Sequence, residues 1–221
     1  MPACAGLEFE ERLGLLADRE LTDRENRRLA ARLRKAKLRQ TATLEDIDFR
    51  HPRGLDKSLI LALAGCQWIK EHRNCLITGP TGAGKSYLAC ALGHKACREG
   101  YSVHYVRAPR LFQELATARG DGRYLKLLSS LAKADLLILD DWGTARLLDD
   151  QRHDLLEIVE DRYDQRSTLM AGQLPISHWH EVIGDPTLAD AILDRLVHNG
   201  HTITLKGESL RKKSKGAPTP S

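Results

Sequence analysis

The absences in this sequence narrow its class before any motif is considered. No run of about 18 apolar residues occurs, so no segment has the length and character of a membrane-crossing helix. The amino terminus, MPACAGLEFEERLG, lacks the charged and apolar regions of a secretory signal, and a cytosolic protein is expected. Cysteine is sparse: Cys4, Cys66, Cys75, Cys90 and Cys97 form no C-x-x-C pair and have no His at zinc-ligand spacing. That excludes a disulfide framework and a structural zinc site, leaving ordinary reduced thiols. His178, His180, His198 and His201 gain no carboxylate or Cys cluster, and His178 and His180 sit at neither helical ligand spacing, so no metal site is expected there. Internal repeats are absent too.

What remains is a chain of 221 residues, 42% hydrophobic and 29% charged, enough for one α/β domain with a modest helical appendage. We divide it into a basic helical region with a linker over 1–50, an α/β core over 51–206, and a basic tail over 207–221 that ends in RKKSKGAPTPS and is expected to be disordered. Residues 7–40 have helical composition, divided at Leu21-Thr22-Asp23, where Thr22 or Asp23 would cap a second helix. A largely apolar helix is expected from Lys57 to Glu71. Short apolar runs then begin at Asn74, Ser102, Leu136, Ser167 and Thr202. Between them lie helical patterns over 85–98, 111–118, 123–131, 152–163 and 187–198. Strands alternating with helices predict a parallel sheet covered by helices.

Cys75 to Thr78 is a β-prone run that leads into Gly79-Pro80-Thr81-Gly82-Ala83-Gly84-Lys85-Ser86 and then a helix. This is G-x-x-x-x-G-K-S in its strand–loop–helix setting, the phosphate-binding loop of nucleotide hydrolases. Glycines let successive amides turn toward the phosphates, and the following helix adds its N-terminal partial charge. Lys85 is expected on the β- and γ-phosphates, Ser86 as a Mg²⁺ ligand and Tyr87 among the ATP-binding residues. Leu136 to Asp141 reads as a buried strand delivering two carboxylates at its end. Asp140 is the candidate for the Mg²⁺ shell, and Asp141 for orienting or deprotonating the attacking water. Trp142, directly after them, is expected to pack rather than react.

The net charge of +4 would mean little if it were spread out. From Arg19 to Arg39, however, nine Lys or Arg face three acids. Such a density suits sequence-tolerant contact with DNA phosphates, with Arg27, Arg28, Arg32, Arg34, Lys35, Lys37 and Arg39 as candidates. No aromatics are interleaved there, so duplex backbone rather than stacked single-stranded bases is the expected target.

The stretches LITGPTGAGKSYLACALGHKACREGYSV and LLILDDWG, with HWHEVIGDPTLADAILDRLVHNGHTITLKGESLRKK, resemble IstB-type ATPases, relatives of the DnaC helicase loaders within the AAA+ class. The resemblance runs from about Phe9 to Lys213. It implies an ATPase that self-associates, assembles on DNA and assists a transposase; a replicative helicase loader is the alternative within the class. A small-molecule kinase, the alternative outside it, would need an Arg-bearing lid over ATP, and this sequence shows no such segment. By resemblance, Arg195 in Asp194-Arg195-Leu196 is an arginine finger for a neighbouring subunit. Gln173 is likewise a sensor after the fourth strand, and Arg211 a second sensor. Relatives typically show Thr-Ser-Gln where this chain has Ala171-Gly172-Gln173, and they carry further N-terminal helices. Weak or partner-stimulated turnover is the expectation from the first departure, and an early start or truncation from the second.

Overall fold

The computed structural model describes residues 8–207. Five strands, β1 (Asn74–Thr78), β2 (Val103–Arg107), β3 (Leu136–Trp142), β4 (Ser167–Gly172) and β5 (Gly200–Thr204), form one parallel sheet in the order β2-β3-β4-β1-β5. Alternation along each strand divides the core in two. Cys75, Ile77, Leu136, Ile138, Leu169 and Ala171 face one layer, and Leu76, Leu137, Leu139 and Met170 the other. Because both faces are covered, these strands read as continuous apolar runs rather than alternating ones.

The first layer holds α1 (Phe9–Ala36), α2 (Lys57–Ala64), α3 (Gln67–Lys70) and α4 (Lys85–Arg98). The second holds α5 (Ala108–Gly120), α6 (Tyr124–Lys133), α7 (Asp149–Arg162), α8 (Trp179–Ile183) and α9 (Pro186–Val197). Among the described residues no helix is long and apolar enough to cross a membrane.

Three local expectations are corrected. The basic region is one helix, not two. The Thr22 hydroxyl donates to the Asp18 carbonyl within α1 instead of capping a new helix, and Arg24 and Arg27 both pair with Glu20 across the expected break. Helix α1 ends where Lys37 turns left-handed (φ 53°). Conversely, the helix expected over 57–71 is broken by left-handed Cys66 (φ 55°), whose amide and the Trp68 indole both donate to the Leu63 carbonyl, each at 3.0 Å. A 3₁₀ turn (Ile176–His178) and α8, with no counterpart among the expected elements, pack Trp179 edge-on to Trp142, ring centroids 5.6 Å apart. Trp142 is therefore a core residue, 1% exposed.

The starting end of the sheet is tied by Arg162. Its buried guanidinium donates to the carbonyls of Leu131 (2.6 Å), Ala134 (2.8 Å) and Ser167 and to the Thr168 hydroxyl (3.0 Å), joining α7 to α6, to the turn that leads into β3, and to β4.

Candidate nucleotide-binding site

The opposite end of the sheet carries the loop Gly79–Ser86. Gly79 has φ 144°, and a Cβ there would lie 2.4 Å from the Leu205 carbonyl oxygen, so only glycine fits. Gly82 (φ 84°) and Gly84 (φ 97°) also take left-handed backbone. Helix α4 begins at Lys85 without a side-chain cap, which leaves its first-turn N–H groups for an outside acceptor. Lys85 Nζ donates to the carbonyls of Gly79 (2.7 Å) and Pro80 (2.9 Å). Burial pushes its ammonium below the ordinary lysine value, while the charges of Asp140 and Asp141 push the other way. A loop shaped by glycines, an uncapped helix start and a cation tied only to carbonyls fit a polyphosphate.

Strand β3 brings the two carboxylates. Its pairing with β4 shifts register between Leu139 and Trp142, and Asp141 takes φ 56°, a conformation costly for a residue with a Cβ. That bulge turns the consecutive acids to different tasks. Asp140 is buried, its Oδ2 accepting from the Tyr105 hydroxyl at 2.6 Å and its Oδ1 from the Asp141 amide at 2.9 Å. Burial first, and the bond to Asp140 second, push the Tyr105 phenol up, which keeps it a donor. Asp141 is partly exposed; its Oδ2 accepts from Arg107 Nε and, at 3.4 Å, from Arg39 Nη1. The bulge also explains Gly172, since a Cβ there would lie 2.8 Å from the Trp142 carbonyl oxygen.

Between loop and carboxylates opens a cavity of about 550 Å³, within the range of small-ligand sites. Thr81, Gly82, Gly84, Lys85, Ser86, Tyr87, Asp141, Gly172 and Gln173 line one side, with Gln173 exposed to it. The other side is the segment between α1 and α2, through Arg39, Gln40, Asp46, Ile47, Asp48, His51 and Arg53. Arg53 is 6% exposed, yet it meets only two carbonyls, of Ala83 and Asp48, both at 3.4 Å. No carboxylate lies within ion-pair distance of it among the described residues, and burial pushes its guanidinium down.

The remaining candidates scatter. Arg195 lies at the starting end of the sheet: Asn74, the first residue of β1, donates to its carbonyl at 2.9 Å. Its guanidinium pairs with Glu160 and lies 5.9 Å from the centre of the Tyr163 ring. Arg211 lies outside the described residues. Of the basic set on α1, Arg27 pairs with Glu20, Arg32 donates to the Cys97 carbonyl at 2.8 Å, and Arg39 turns to the cavity. Arg34, Lys35, Lys37 and Arg28 are exposed and make no hydrogen bond or ion pair with other described residues. Tyr105, Arg107 and Arg53 carry no motif. Arg107 alone had a signal, its place at the end of the strand beside β3.

Comparison with known proteins fits this geometry. A family model described as IstB-like ATP binding protein matches residues 3–217. The chain is 61% identical over 206 residues to the insertion sequence ATP-binding protein y4pL of Sinorhizobium fredii, spanning 93% of this chain and 84% of that one. It is 34% identical to the insertion sequence IS21 ATP-binding protein of Pseudomonas aeruginosa, over 95% of this chain and 79% of that one. The crystal structure of the DnaC helicase loader superposes with a TM-score of 0.57 at 20% identity, covering 67% of this chain and 87% of that chain, which shows a shared fold. With its phosphate loop, paired carboxylates and near full-length match, the chain belongs to the family of IstB-like ATP-binding proteins.

Proposed function

We propose that this protein hydrolyses Mg-ATP at the boundary between two copies of itself, assembles on duplex DNA in the cytosol and assists the transposase of an insertion sequence. One observation carries the two-copy part. Arg195 is bonded to the first residue of β1, whereas the phosphate loop follows the last, about 13 Å of strand away. An arginine so placed does not serve its own cavity; partly exposed and held by Glu160 and the Ala191 carbonyl in its own copy, it would exchange those partners for a neighbour's phosphate. A trans arginine of this kind neutralises charge on the transferring phosphoryl group.

Within one copy, the Gly79–Ser86 loop and Tyr87 hold the nucleotide. Ser86 and Asp140 offer the oxygen-only donor set that a magnesium ion prefers, and Tyr105 fixes the Asp140 carboxylate. The bound ion would neutralise charge on the β- and γ-phosphates. Asp141 is the group to orient the attacking water, with Gln173 on the same side of the cavity as a polar sensor and Arg211 as a second one. Arg28, Arg34, Lys35 and Lys37, exposed along one segment, suit salt-sensitive contact with DNA phosphates. The insertion-sequence names of the relatives support a transposase rather than a helicase as client.

Mass measurement of the protein with duplex DNA and magnesium, in ATP and in ADP, tests the reading. A larger assembly in ATP than in ADP is expected, and Arg195→Ala should keep ATP binding and lose hydrolysis. A chain that stays monomeric and takes up no nucleotide under those conditions refutes it.

A further inference from the structure

The side of the cavity facing the phosphate loop is built by the stretch from Lys37 to Asp56, and its cation nearest the reacting end is Arg39. After α1 closes at Ala36, buried in the first core layer, left-handed Lys37 redirects the chain, and Arg39 extends over the cavity. Its Nη1 lies 3.4 Å from Asp141 Oδ2 and 4.0 Å from Asp140 Oδ2, while 45% of the side chain remains exposed. Asp141 does not depend on it, because Arg107 already holds the same oxygen. Nor does Arg39 hydrogen-bond any backbone carbonyl among the described residues.

The end of the cavity around the two acids thus gathers three cations, Lys85, Arg39 and Arg107, against two carboxylates. That is an excess of positive charge where the far end of a triphosphate would lie. A long contact to an already paired carboxylate is readily exchanged for a doubly charged phosphate group, and a planar guanidinium is the side chain best suited to take it with two parallel bonds.

We infer that Arg39 contacts the terminal phosphate of ATP in its own subunit, resting on Asp141 until that phosphate arrives, and so makes the cavity prefer ATP over ADP. The inference builds on the ATP-binding reading above. It assigns to the nucleotide a residue that charge clustering had grouped with the DNA-facing helix. Exchange of Arg39 to the phosphate also leaves Asp141 with a single arginine, freeing part of its carboxylate for water.

Titration of the 221-residue chain with fluorescent ATP and ADP analogues in magnesium tests this, using wild type, Arg39→Ala, Arg39→Gln, Arg39→Lys and Lys85→Ala. Arg39→Ala and Arg39→Gln should lose about tenfold in ATP affinity with ADP affinity unchanged, the scale of one charge-assisted contact. Arg39→Lys should recover part of the difference. Equal loss for both nucleotides, or no loss for either, overturns the role of Arg39. Wild-type-like binding by Lys85→Ala would instead overturn the nucleotide site itself, and the two failures are thereby distinguished. Gln keeps the bulk and polarity of the position, so it serves if the alanine variant does not fold.

Discussion

Each end of the sheet buries an arginine that lacks a carboxylate, and the two differ in how completely they are bonded. Arg162, at the starting end, spends its guanidinium on three carbonyls and a hydroxyl, most of them close. Arg53, at the finishing end, has only two carbonyls at 3.4 Å, and its Nε has no partner. Burying a charge costs several kcal/mol unless hydrogen bonds or an opposite charge offset it. Arg162 recovers that cost inside the fold, even though burial brings its value down to about 9. Arg53 does not recover it, and it lines the cavity where an anionic ligand is expected. The contrast separates a cation that belongs to the scaffold from one left incomplete until a ligand arrives.

Removing each in turn should break or sharpen that distinction. Arg162→Met would leave the carbonyls of Leu131, Ala134 and Ser167 buried without their donor, and a loss of about 3–4 kcal/mol in unfolding free energy is expected. Denaturant melts of the nucleotide-free protein measure it. A loss under about 1 kcal/mol, the scale of an ordinary surface change, would mean that Arg162 is not the tie it looks to be. Arg53→Met should do the reverse. A methionine of similar length removes an under-bonded buried charge, so stability without nucleotide should hold or rise, while affinity for ATP falls about tenfold, roughly 1.4 kcal/mol. If that variant is as unstable as Arg162→Met, or binds ATP as tightly as wild type, the contrast between the two arginines collapses.

The same contrast marks how far the sequence could be read. The loop Gly79–Ser86 and the strand ending in Asp140-Asp141 are contiguous, so backbone geometry and chemistry coincide in one string of residues, and the parallel sheet followed from the apolar runs around them. Positions Arg39 and Arg53 offered no such string. They reach the cavity because the chain between α1 and α2 turns at Lys37 and crosses the finishing end of the sheet, which local pattern does not encode. Charge density grouped Arg39 with Arg34 and Lys35, whereas only the turn at Lys37 separates their directions. The single α1 was obscured for a related reason. Thr22 and Asp23 are good caps in isolation, but the Arg24–Glu20 and Arg27–Glu20 pairs carry the helix through them. In the departure at Ala171-Gly172, the glycine has a packing cause, since the Trp142 carbonyl allows no Cβ at Gly172, while nothing in the structure explains Ala171.

A smaller effect lies between the two ends, at His104 on β2. Burial is the main cause that pushes its imidazole below the ordinary histidine value, with Lys37 next; Arg162 adds to it, and Glu114 opposes. The folded chain therefore holds His104 neutral, whereas the unfolded chain takes up the proton near pH 6.5. Unfolded protein binds more protons below that point, so stability is full above about pH 6.5 and declines as pH falls toward the depressed folded value. His201, lowered by burial and by Arg73, adds a contribution of the same sign. Melting temperatures at pH 7.5 and 5.5 should differ in wild type, and the difference should shrink in His104→Gln while persisting in part through His201. Comparing the two pH values within each variant removes any direct effect of the substitution on packing. An unchanged difference in His104→Gln would mean that burial on β2 does not hold this imidazole below its ordinary value, and that the loss of stability in acid arises at other groups.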